Sequence, residues 1–174
     1  MFVCEHFNVV PDMLVIGKGL GGGVFPLAAL IVNENLDIAG DRALGHYTHE
    51  KSSVGCAAAL ATIDCLYEDK LIENSVSLGI KGLEFLEKMK SEHAIISDVR
   101  GLGLFFGIEL RVDGQPALKE AEAMMYHSLS NGLSYKIGGG CIITLCPPLN
   151  ISEKELISAL EIINAGLQEI SRKD

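Results

Sequence analysis

Apolar residues follow two different patterns along the chain, and the pattern changes near residue 65. Before that point, short apolar runs predict strands over 13–16 and 27–32, with a glycine-rich turn between them. Beyond it, apolar residues recur every three or four positions, as they do on one face of an α-helix. The sequence therefore predicts two parts: strand and loop material over 1–65, and an α+β lobe over 66–174.

Three helices and three strands are predicted in the second part. A Ser152-x-x-Glu155 capping box marks the start of the last helix, and Gly101 is expected to turn the chain between the first two strands. The predicted strands are 95–100, 102–110 and 142–145. The apolar faces of the helices are Ile72, Val76, Gly79, Leu83 and Leu86; Leu118, Ala121, Met125 and Leu129; and Leu156, Leu160, Ile163, Leu167 and Ile170.

The first part contains one helix made almost entirely of small side chains. Ser52 or Ser53 is expected to cap it, and the run Gly55-Cys56-Ala57-Ala58-Ala59-Leu60-Ala61 follows. Because few large side chains project from such a helix, another segment of backbone can approach it closely. A second, short helix is expected over 34–39, capped by Asn33.

Composition limits the partners of the protein. The 174 residues carry 14 Lys and Arg against 23 Asp and Glu, a net charge of −9, whereas binding a nucleic-acid backbone needs a basic surface. The longest apolar run, 24–32, is far shorter than the ~20 residues of a membrane-spanning helix. The start of the chain lacks the basic segment and apolar core of a signal peptide. We therefore expect a cytoplasmic protein with no nucleic-acid or membrane partner.

Cysteine and histidine positions do not indicate a metal site. The five cysteines are scattered and form no Cys-x-x-Cys pair, so reduced thiols are the simplest expectation. His46, His49 and His93 have no spacing that is typical of metal ligands. We expect no metal.

The clearest chemical feature is a single lysine at the end of the first predicted strand. The apolar run 13–16 predicts a buried strand that leads to Gly17-Lys18, and further glycines follow directly. Bare glycine backbone lets a flat ligand approach the amine. Burial of the lysine among apolar neighbours would lower its pKa, as a Schiff-base amine requires. On these residues alone, a solvated lysine before an ordinary turn is the simpler interpretation.

Two nucleotide-binding motifs are excluded at this lysine. Gly17-x-Gly19-x-x-Gly22 has the dinucleotide spacing, but Val24-Phe25-Pro26 and a second strand follow where that motif needs a helix. A P-loop ends in Gly-Lys followed by Ser or Thr, whereas here Gly-Lys opens the loop and Gly19 follows it.

Four motifs, in this order, resemble the C-terminal part of the class III aminotransferases, which are pyridoxal-phosphate enzymes of fold type I. The resemblance extends from residue 1 to about 170. The motifs are the segment Pro11 to Pro26, similar to that around the family's Schiff-base lysine; Thr48 before the small-residue helix, similar to its phosphate-binding threonine; Val99 to Leu110, similar to its small-domain strand; and Pro147-Pro148-Leu149 before Ser152, similar to its closing segment.

The resemblance implies a fold, a cofactor and three site residues. The fold is α/β: 1–65 would be the C-terminal part of the cofactor-binding large domain, and 66–174 the small C-terminal domain. Lys18 would form the Schiff base with pyridoxal 5'-phosphate and move the α-proton of the substrate. Thr48 would bind the cofactor phosphate of the neighbouring subunit in a homodimer, and Arg100 would bind a substrate carboxylate. The implied reaction transfers an amino group between an amino acid or amine and a 2-oxo acid.

The chain also departs from the family pattern. The Gly-Gly-Asn-Pro that usually follows the threonine is Glu50-Lys51-Ser52-Ser53 here. The family's aspartate for the pyridine nitrogen lies upstream of the segment that resembles 1–10, so we expect a C-terminal fragment that is inactive in isolation. Two alternatives stay open: a pyridoxal-phosphate-dependent amino-acid racemase or epimerase of the same family, or, for the isolated chain, a non-catalytic fragment or interaction domain. The substrate is not predicted.

Overall fold

The computed structural model of the protein describes residues 1–43, 45, 47, 48 and 50–171. The chain divides into two compact units, Met1–Lys70 and Leu71–Asp174. The boundary expected at 65/66 falls inside the last helix of the first unit, Ser53–Glu68, which ends close to the division. His46 and His49, which were considered above as metal ligands, lie outside the described residues.

The first unit contains both strands that the apolar runs predict. Its elements are α1 (Val3–His6), β1 (Met13–Ile16), a 3₁₀ turn (Lys18–Gly21), β2 (Ala29–Val32), a second 3₁₀ turn (Glu34–Leu36) and α2 (Ser53–Glu68). Strands β1 and β2 are antiparallel, with Met13 opposite Val32 and Ile16 opposite Ala29. The lysine turn is therefore part of the connection between two paired strands.

The strand that leads to the lysine is exposed, whereas the sequence predicted a buried one. Among the described residues, β1 pairs with β2 and with no other strand. Met13 and Val15 on β1 are 57% and 76% exposed, and Leu30 on β2 is 59% exposed. An apolar run is buried only where other elements cover the strand, and the described residues of this unit leave these side chains in solvent.

Both helix starts predicted in the first unit are found, with differences in detail. Asn33 caps as expected, because its Oδ1 accepts a hydrogen bond from the backbone nitrogen of Asn35 at 3.0 Å. The helix expected over 34–39 is only the 3₁₀ turn Glu34–Leu36. Helix α2 follows Ser52, but the Ser52 hydroxyl makes no capping bond, and its carbonyl accepts from Cys56 at 2.9 Å instead.

The second unit is an antiparallel sheet with three helices. Its elements are α3 (Leu71–Glu92), β3 (Ile96–Leu102), β4 (Phe105–Val112), β5 (Gln115–Pro116), α4 (Leu118–Ser130), β6 (Lys136–Gly138), β7 (Ile142–Leu145) and α5 (Glu153–Ser171). The strand order is β3-β4-β7-β6, and β5 pairs with the end of β4. The predicted strand 142–145 has the same bounds as β7. The apolar pattern did not predict β5 or β6, which are only two and three residues long.

The helices and one face of the sheet enclose the core. Phe106, Ile108 and Leu110 of β4 are fully buried there, because alternate residues of a strand point to the same face. The buried core residues from the helices are Leu78, Leu86, Met89, Ala121, Met124, Leu156, Leu160, Ile163 and Leu167. The opposite face of the sheet is not covered by helices of this unit and carries the polar residues described in the next section.

The apolar face predicted for α5 is confirmed, whereas that of α4 is rotated. Met124 is fully buried in place of Met125, and Leu129 is 57% exposed. The residue that lies in the core beside them is the polar Ser128, whose hydroxyl donates to the Tyr135 hydroxyl at 3.3 Å. A pattern of apolar residues alone does not identify a buried serine whose hydroxyl has a hydrogen-bond partner. In α3, Gly79 and Leu86 are buried as predicted, whereas Val76 is 51% exposed and Ile72 and Leu83 are only partly buried.

The turn between β3 and β4 lies two residues later than predicted. Gly101 belongs to β3, where it pairs with Phe106, and the chain reverses at Gly103. Gly103 has a φ of +56°, which favours glycine. The backbone nitrogen of the following Leu104 donates to the Ser75 hydroxyl at 3.2 Å, so α3 holds this turn in place.

Gly79→Ala is expected to destabilise the second unit, although alanine favours helices over glycine by about 1 kcal/mol. A Cβ at Gly79 would lie 2.5 Å from the carbonyl oxygen of Gly103, and backbone has little freedom to move away. Overpacking of this kind costs ~1–3 kcal/mol, so we expect a net loss in the free energy of unfolding. Urea denaturation measures it. Glu84→Ala, at an exposed position of the same helix, is the control, and a Gly79→Ala protein as stable as that control would contradict the prediction.

Candidate functional site

Lys18 lies at the start of a tight turn that directly follows β1. Its φ is +51°, in the left-handed region that few non-glycine residues adopt. Hydrogen bonds from Leu20 to Gly17, at 3.2 Å, and from Gly22 to Gly19, at 2.9 Å, close the turn. A lysine held in a sparsely populated conformation by the surrounding backbone is the kind of strain that recurs at functional sites.

The space beside Lys18 is open. A Cβ at Gly19 or Gly23 would meet nothing within 4 Å. Lys18 is exposed, and its amine forms no hydrogen bond or ion pair with another described residue. The apolar burial that the sequence suggested for this amine is not provided by the described residues of its unit. What they provide is an accessible primary amine beside bare backbone, which fits a flat aldehyde cofactor.

Thr48 lies in the same unit, in an exposed turn that precedes α2. Its hydroxyl makes no hydrogen bond with another described residue and is available to a ligand. Lys51, in the stretch that departs from the family pattern, has a φ of +57°. No hydrogen bond joins the side chains of Thr48 and Lys18 in the part of the chain that the structure describes.

Arg100 lies in the second unit, on the face of the sheet that the helices leave uncovered. We call this the open face, defined by Asp98, Arg100, Gly107, Glu109 and Thr144. Arg100 is opposite Gly107 on β4, and Gly107 is opposite Thr144 on β7, so these three form one row across the sheet. A Cβ at Gly107 would lie 3.6 Å from Arg100 Cγ and 3.7 Å from its Nε, so the arginine side chain lies against the glycine backbone.

Four charged side chains form a network on the open face. Arg100 Nη1 bonds a carboxylate oxygen of Asp98 and, at 3.1 Å, Glu109 Oε2. The other Glu109 oxygen accepts from Arg111, at 2.8 Å from Nε and 2.7 Å from Nη2. Two cations therefore face two anions, and the network as a whole is close to neutral.

The network shifts the pKa values of two groups, Arg100 and Glu109. The hydrogen bonds that Arg100 donates, first to Asp98 and then to Glu109, raise the pKa of its guanidinium. Hydrogen bonds from Arg111 and then Arg100 lower the pKa of the Glu109 carboxyl. Both shifts favour the charged form, so Arg100 and Glu109 are ionised at neutral pH.

The open face contains a groove of about 430 Å³. Arg100, Phe105, Gly107, Gly138, Gly139, Ile142 and Thr144 are among the residues that line it. Both carboxylates use Nη1 of Arg100, so its Nε and Nη2 have no hydrogen-bond partner among the described residues. The guanidinium is thus oriented by its neighbours and keeps two nitrogens that can donate to an anionic ligand.

Sequence reasoning identified Arg100 but not Asp98 and Glu109, which bond it, or Arg111, which bonds Glu109. A signal was present, since Asp98-x-Arg100 and Glu109-x-Arg111 place opposite charges two residues apart on predicted strands. Side chains at that spacing share one face of a sheet. Pairing of β3 with β4 then places Asp98 opposite Glu109.

The Glu109 network predicts a loss of stability in acid. A carboxyl whose pKa is lowered on folding stabilises the protein above its unfolded pKa, here 4.5, and this contribution is lost as pH falls through the folded pKa. The free energy of unfolding of Glu109→Gln should therefore fall less steeply than that of the wild type between about pH 5 and pH 3. Glu84→Gln, on the exposed face of α3, is the control, and equal slopes for the wild type and Glu109→Gln would contradict the prediction.

Among the described residues, no three His, Cys, Asp or Glu side chains are grouped so that they could hold a metal ion. His93 is buried, and its Nε2 lies 2.7 Å from Asn164 Oδ1, so it joins the end of α3 to α5. A search of the described helices for one long and apolar enough to cross a membrane finds none.

Comparisons with known proteins place this chain in one family. The model of the family aminotransferase class III matches residues 1–167. The (R)-1-hydroxy-2-aminoethylphosphonate ammonia-lyase of Vibrio splendidus is 42% identical over 174 residues, which is 98% of this chain and 36% of that protein. The ornithine aminotransferase of a Geobacillus species is 38% identical over 164 residues, or 92% of this chain and 38% of that protein.

The fold of this chain also matches that of a solved aminotransferase structure. The crystal structure of acetylornithine aminotransferase from Elizabethkingia anophelis has a TM-score of 0.87 and 32% sequence identity, and the match covers 96% of this chain and 41% of that one. The chain thus spans 36% to 41% of the length of these three relatives.

Proposed function

Since this chain belongs to the class III aminotransferase family, we propose that it carries the reactive lysine of a pyridoxal-phosphate-dependent enzyme that transfers an amino group from an amino acid or amine to a 2-oxo acid. The observation that carries the proposal is Lys18: an exposed amine, held in a strained turn beside open glycine backbone, within a chain that matches the family over 1–167. The family resemblance first stated from the sequence identified the same lysine.

In this proposal Lys18 has two tasks. Its amine would hold pyridoxal 5'-phosphate through a Schiff base and, when free, would accept and return the α-proton of the substrate as a general base. The cofactor supplies an electron sink when bound. The strained turn limits where the amine can reach, and orientation of the amine is what the protein must contribute.

Thr48 would bind the cofactor phosphate across a homodimer interface. Its hydroxyl is exposed and has no described partner, which leaves it free to donate to a phosphate oxygen. Its turn precedes α2, whose small side chains permit close packing. The resemblance to the family motif suggests that the phosphate belongs to the neighbouring subunit.

Arg100 would bind a carboxylate of the substrate. Its two unpartnered nitrogens and the adjoining groove support this role, because a guanidinium can form two parallel hydrogen bonds with a carboxylate. The near-neutral network limits long-range attraction for anions, so recognition here would depend on direct hydrogen bonds. We further propose that residues 1–65 belong to the cofactor-binding domain, that 66–174 are the small C-terminal domain, and that the enzyme is cytoplasmic.

A second candidate function is elimination of ammonia without transfer. The observation that favours it is the 42% identity to an ammonia-lyase, against 38% to an ornithine aminotransferase. In this proposal either reaction would use Lys18 and the same cofactor, so Lys18 does not separate them. They differ in the fate of the nitrogen, which a transaminase passes to a 2-oxo acid and a lyase releases.

The test is to follow that nitrogen. The complete enzyme, loaded with cofactor, is incubated with ornithine, acetylornithine or 1-hydroxy-2-aminoethylphosphonate, each with and without 2-oxoglutarate, and the same preparation is used in the kinetic tests below. Transfer predicts glutamate that forms only when the oxo acid is present. Ammonia release that is independent of the oxo acid would instead establish the lyase function. Racemisation of the donor without either product would show the third reaction of the family.

A further inference from the structure

We infer that Phe25 positions Lys18 by seating the lysine turn on Gly55 of helix α2. This inference rests on the proposed role of Lys18 and assigns a positioning task to a residue that makes no contact with the reaction itself. Three sets of contacts within the first unit carry it.

The first set joins Lys18 to Phe25 through a continuous hydrogen-bonded turn. Beyond the bonds that close the turn at Gly17 and Gly19, the backbone nitrogens of Val24 and Phe25 both donate to the Gly21 carbonyl, at 3.2 Å and 3.1 Å. Gly21 is buried, and a Cβ there would lie 3.5 Å from Phe25 Cβ. A displacement of Phe25 is therefore transmitted along the turn toward the lysine.

The second set joins Phe25 to α2. A Cβ at Gly55 would lie 2.9 Å from Phe25 Cε1, 3.1 Å from its Cδ1 and 3.3 Å from Leu27 Cδ1. The Phe25 ring therefore rests directly on the bare backbone of the helix. Gly55 is buried, in a helix whose other residues are exposed or only partly buried. This is the close approach that the small-residue helix predicted, and an aromatic ring makes it.

The third set is a second point of support on the same helix. A Cβ at Gly22 would lie 2.9 Å from Thr62 Oγ1, and that hydroxyl donates to the Ala58 carbonyl at 2.7 Å. Gly55 and Thr62 are seven residues apart, about two helical turns, so they lie on the same face of α2 roughly 10 Å from one another. Contacts at two such points fix both the position and the tilt of the turn.

This support gives the strained lysine a physical reason to persist. A left-handed conformation at a non-glycine residue is strained and persists only where the surrounding structure determines it. The seat on α2 supplies that determination at a distance from Lys18, where it does not occlude the amine. Both the ring of Phe25 and the bare backbone at Gly55 are required. A smaller side chain at position 25, or a side chain at position 55, would alter the distance between the turn and the helix.

The test pairs two substitutions that should compensate each other. Gly55→Ala pushes the ring away and Phe25→Leu removes ring atoms, so the double variant should restore the seat that Gly55→Ala disturbs. In the cofactor-loaded protein, Gly55→Ala should lower kcat/KM about tenfold, since misplacement by ~1 Å can cost up to about 100-fold. It should also move the pH midpoint of the cofactor's visible absorbance, which reports the surroundings of Lys18. In the cofactor-free protein, amide hydrogen exchange over 17–25 should speed up.

Controls separate positioning from stability and from the proposed function. Cys56→Ala, at an exposed position on the same helix, should match the wild type in all three measurements. Recovery of the pH midpoint and of kcat/KM in the double variant supports the inference. If Gly55→Ala and Phe25→Leu change only the melting temperature, while borohydride reduction still labels Lys18 in the wild type, the inference is overturned and the proposed function stands. A wild type without label on Lys18 overturns both.

Discussion

Replacing Lys18 with alanine is expected to lower the rate of amino transfer by about 10⁴-fold, the upper end of what one general acid–base group contributes. The loss is large because the same amine is proposed both to bind the cofactor covalently and to move the α-proton. Stability should be unaffected or slightly increased, since alanine removes a side chain that has no described partner. Steady-state kinetics with the donor that the nitrogen test identifies, together with thermal unfolding, measure both effects.

Lys51→Ala is the matched control for this substitution. Lys51 is also exposed in the first unit and has a positive φ, but its amine faces Glu50 at 3.9 Å. Its removal should leave the rate within about threefold of the wild type, as expected for a surface ion pair of little energetic weight. Loss of activity in Lys51→Ala, with activity retained in Lys18→Ala, would contradict the assignment of the lysine.

Mixing of inactive subunits extends the same experiment to Thr48. If each site combines Lys18 of one subunit with Thr48 of the other, a mixed dimer of Lys18→Ala and Thr48→Ala chains contains one intact site. Activity should then return on mixing, and it should rise with the fraction of mixed dimers. Verified mixed dimers with no gain over the Thr48→Ala parent would show that the threonine acts within its own chain or not at all.

Arg100→Ala is expected to lower kcat/KM for carboxylate substrates by about 10- to 100-fold. A hydrogen bond to a charged group contributes ~1.5–3 kcal/mol, and each 1.36 kcal/mol changes a rate about tenfold. Arg100→Lys should recover only part of the loss, because an ammonium group cannot form two parallel bonds with a carboxylate. Cofactor absorbance should not change. A donor that lacks the carboxylate should be affected much less than one that has it.

The network around Arg100 makes a second control necessary. Arg100→Ala also leaves Asp98 and Glu109 without one of their cations, so a general disturbance of the open face could lower activity by itself. Arg111→Ala removes the other cation that bonds Glu109. Arg111 is not among the residues that line the groove, so this substitution leaves the groove lining intact. Equal losses in the two variants would mean that Arg100 maintains the sheet surface and does not contact substrate.

Features that depend on neighbouring residues in the sequence could be predicted from it. The Ser152 capping box is confirmed, with Ser152 N donating to Glu155 Oε2 at 2.9 Å and Glu155 N to Ser152 Oγ at 3.3 Å. The buried face of α5 and the bounds of β1 and β7 are confirmed as well. Each follows from local hydrogen bonding or from a helical or strand periodicity, which the sequence displays directly.

Features that depend on distant partners could not be predicted. The chain turns at Gly103 and not at Gly101 because α3 meets it there, at Ser75 and Gly79. Ser128 enters the core because Tyr135 is positioned to bond it. The exposure of β1 likewise depends on which elements cover it, and a run of apolar residues contains no information about that.

The candidate site shows the same division. Lys18 could be found from a strand followed by glycines, and the family resemblance gave it a role. The contact between its turn and α2 could not be predicted from the sequence, because Phe25 and Gly55 are thirty residues apart and neither has an ionisable or nucleophilic side chain. The charge network on the open face could be predicted in part. The spacing of its charged residues along each strand is visible in the sequence, but the pairing of Arg100 with Glu109 depends on the register of β3 with β4.

The most direct measurement of the central proposal is chemical labelling of the lysine. The protein is loaded with pyridoxal phosphate, reduced with borohydride to make the attachment permanent, digested and mapped by mass spectrometry. The account predicts a pyridoxyl label on the peptide that contains Lys18, in a ratio of about one per chain, and its disappearance in Lys18→Ala. A stoichiometric label on Lys51 or on any other lysine, with Lys18 unmodified, would contradict it.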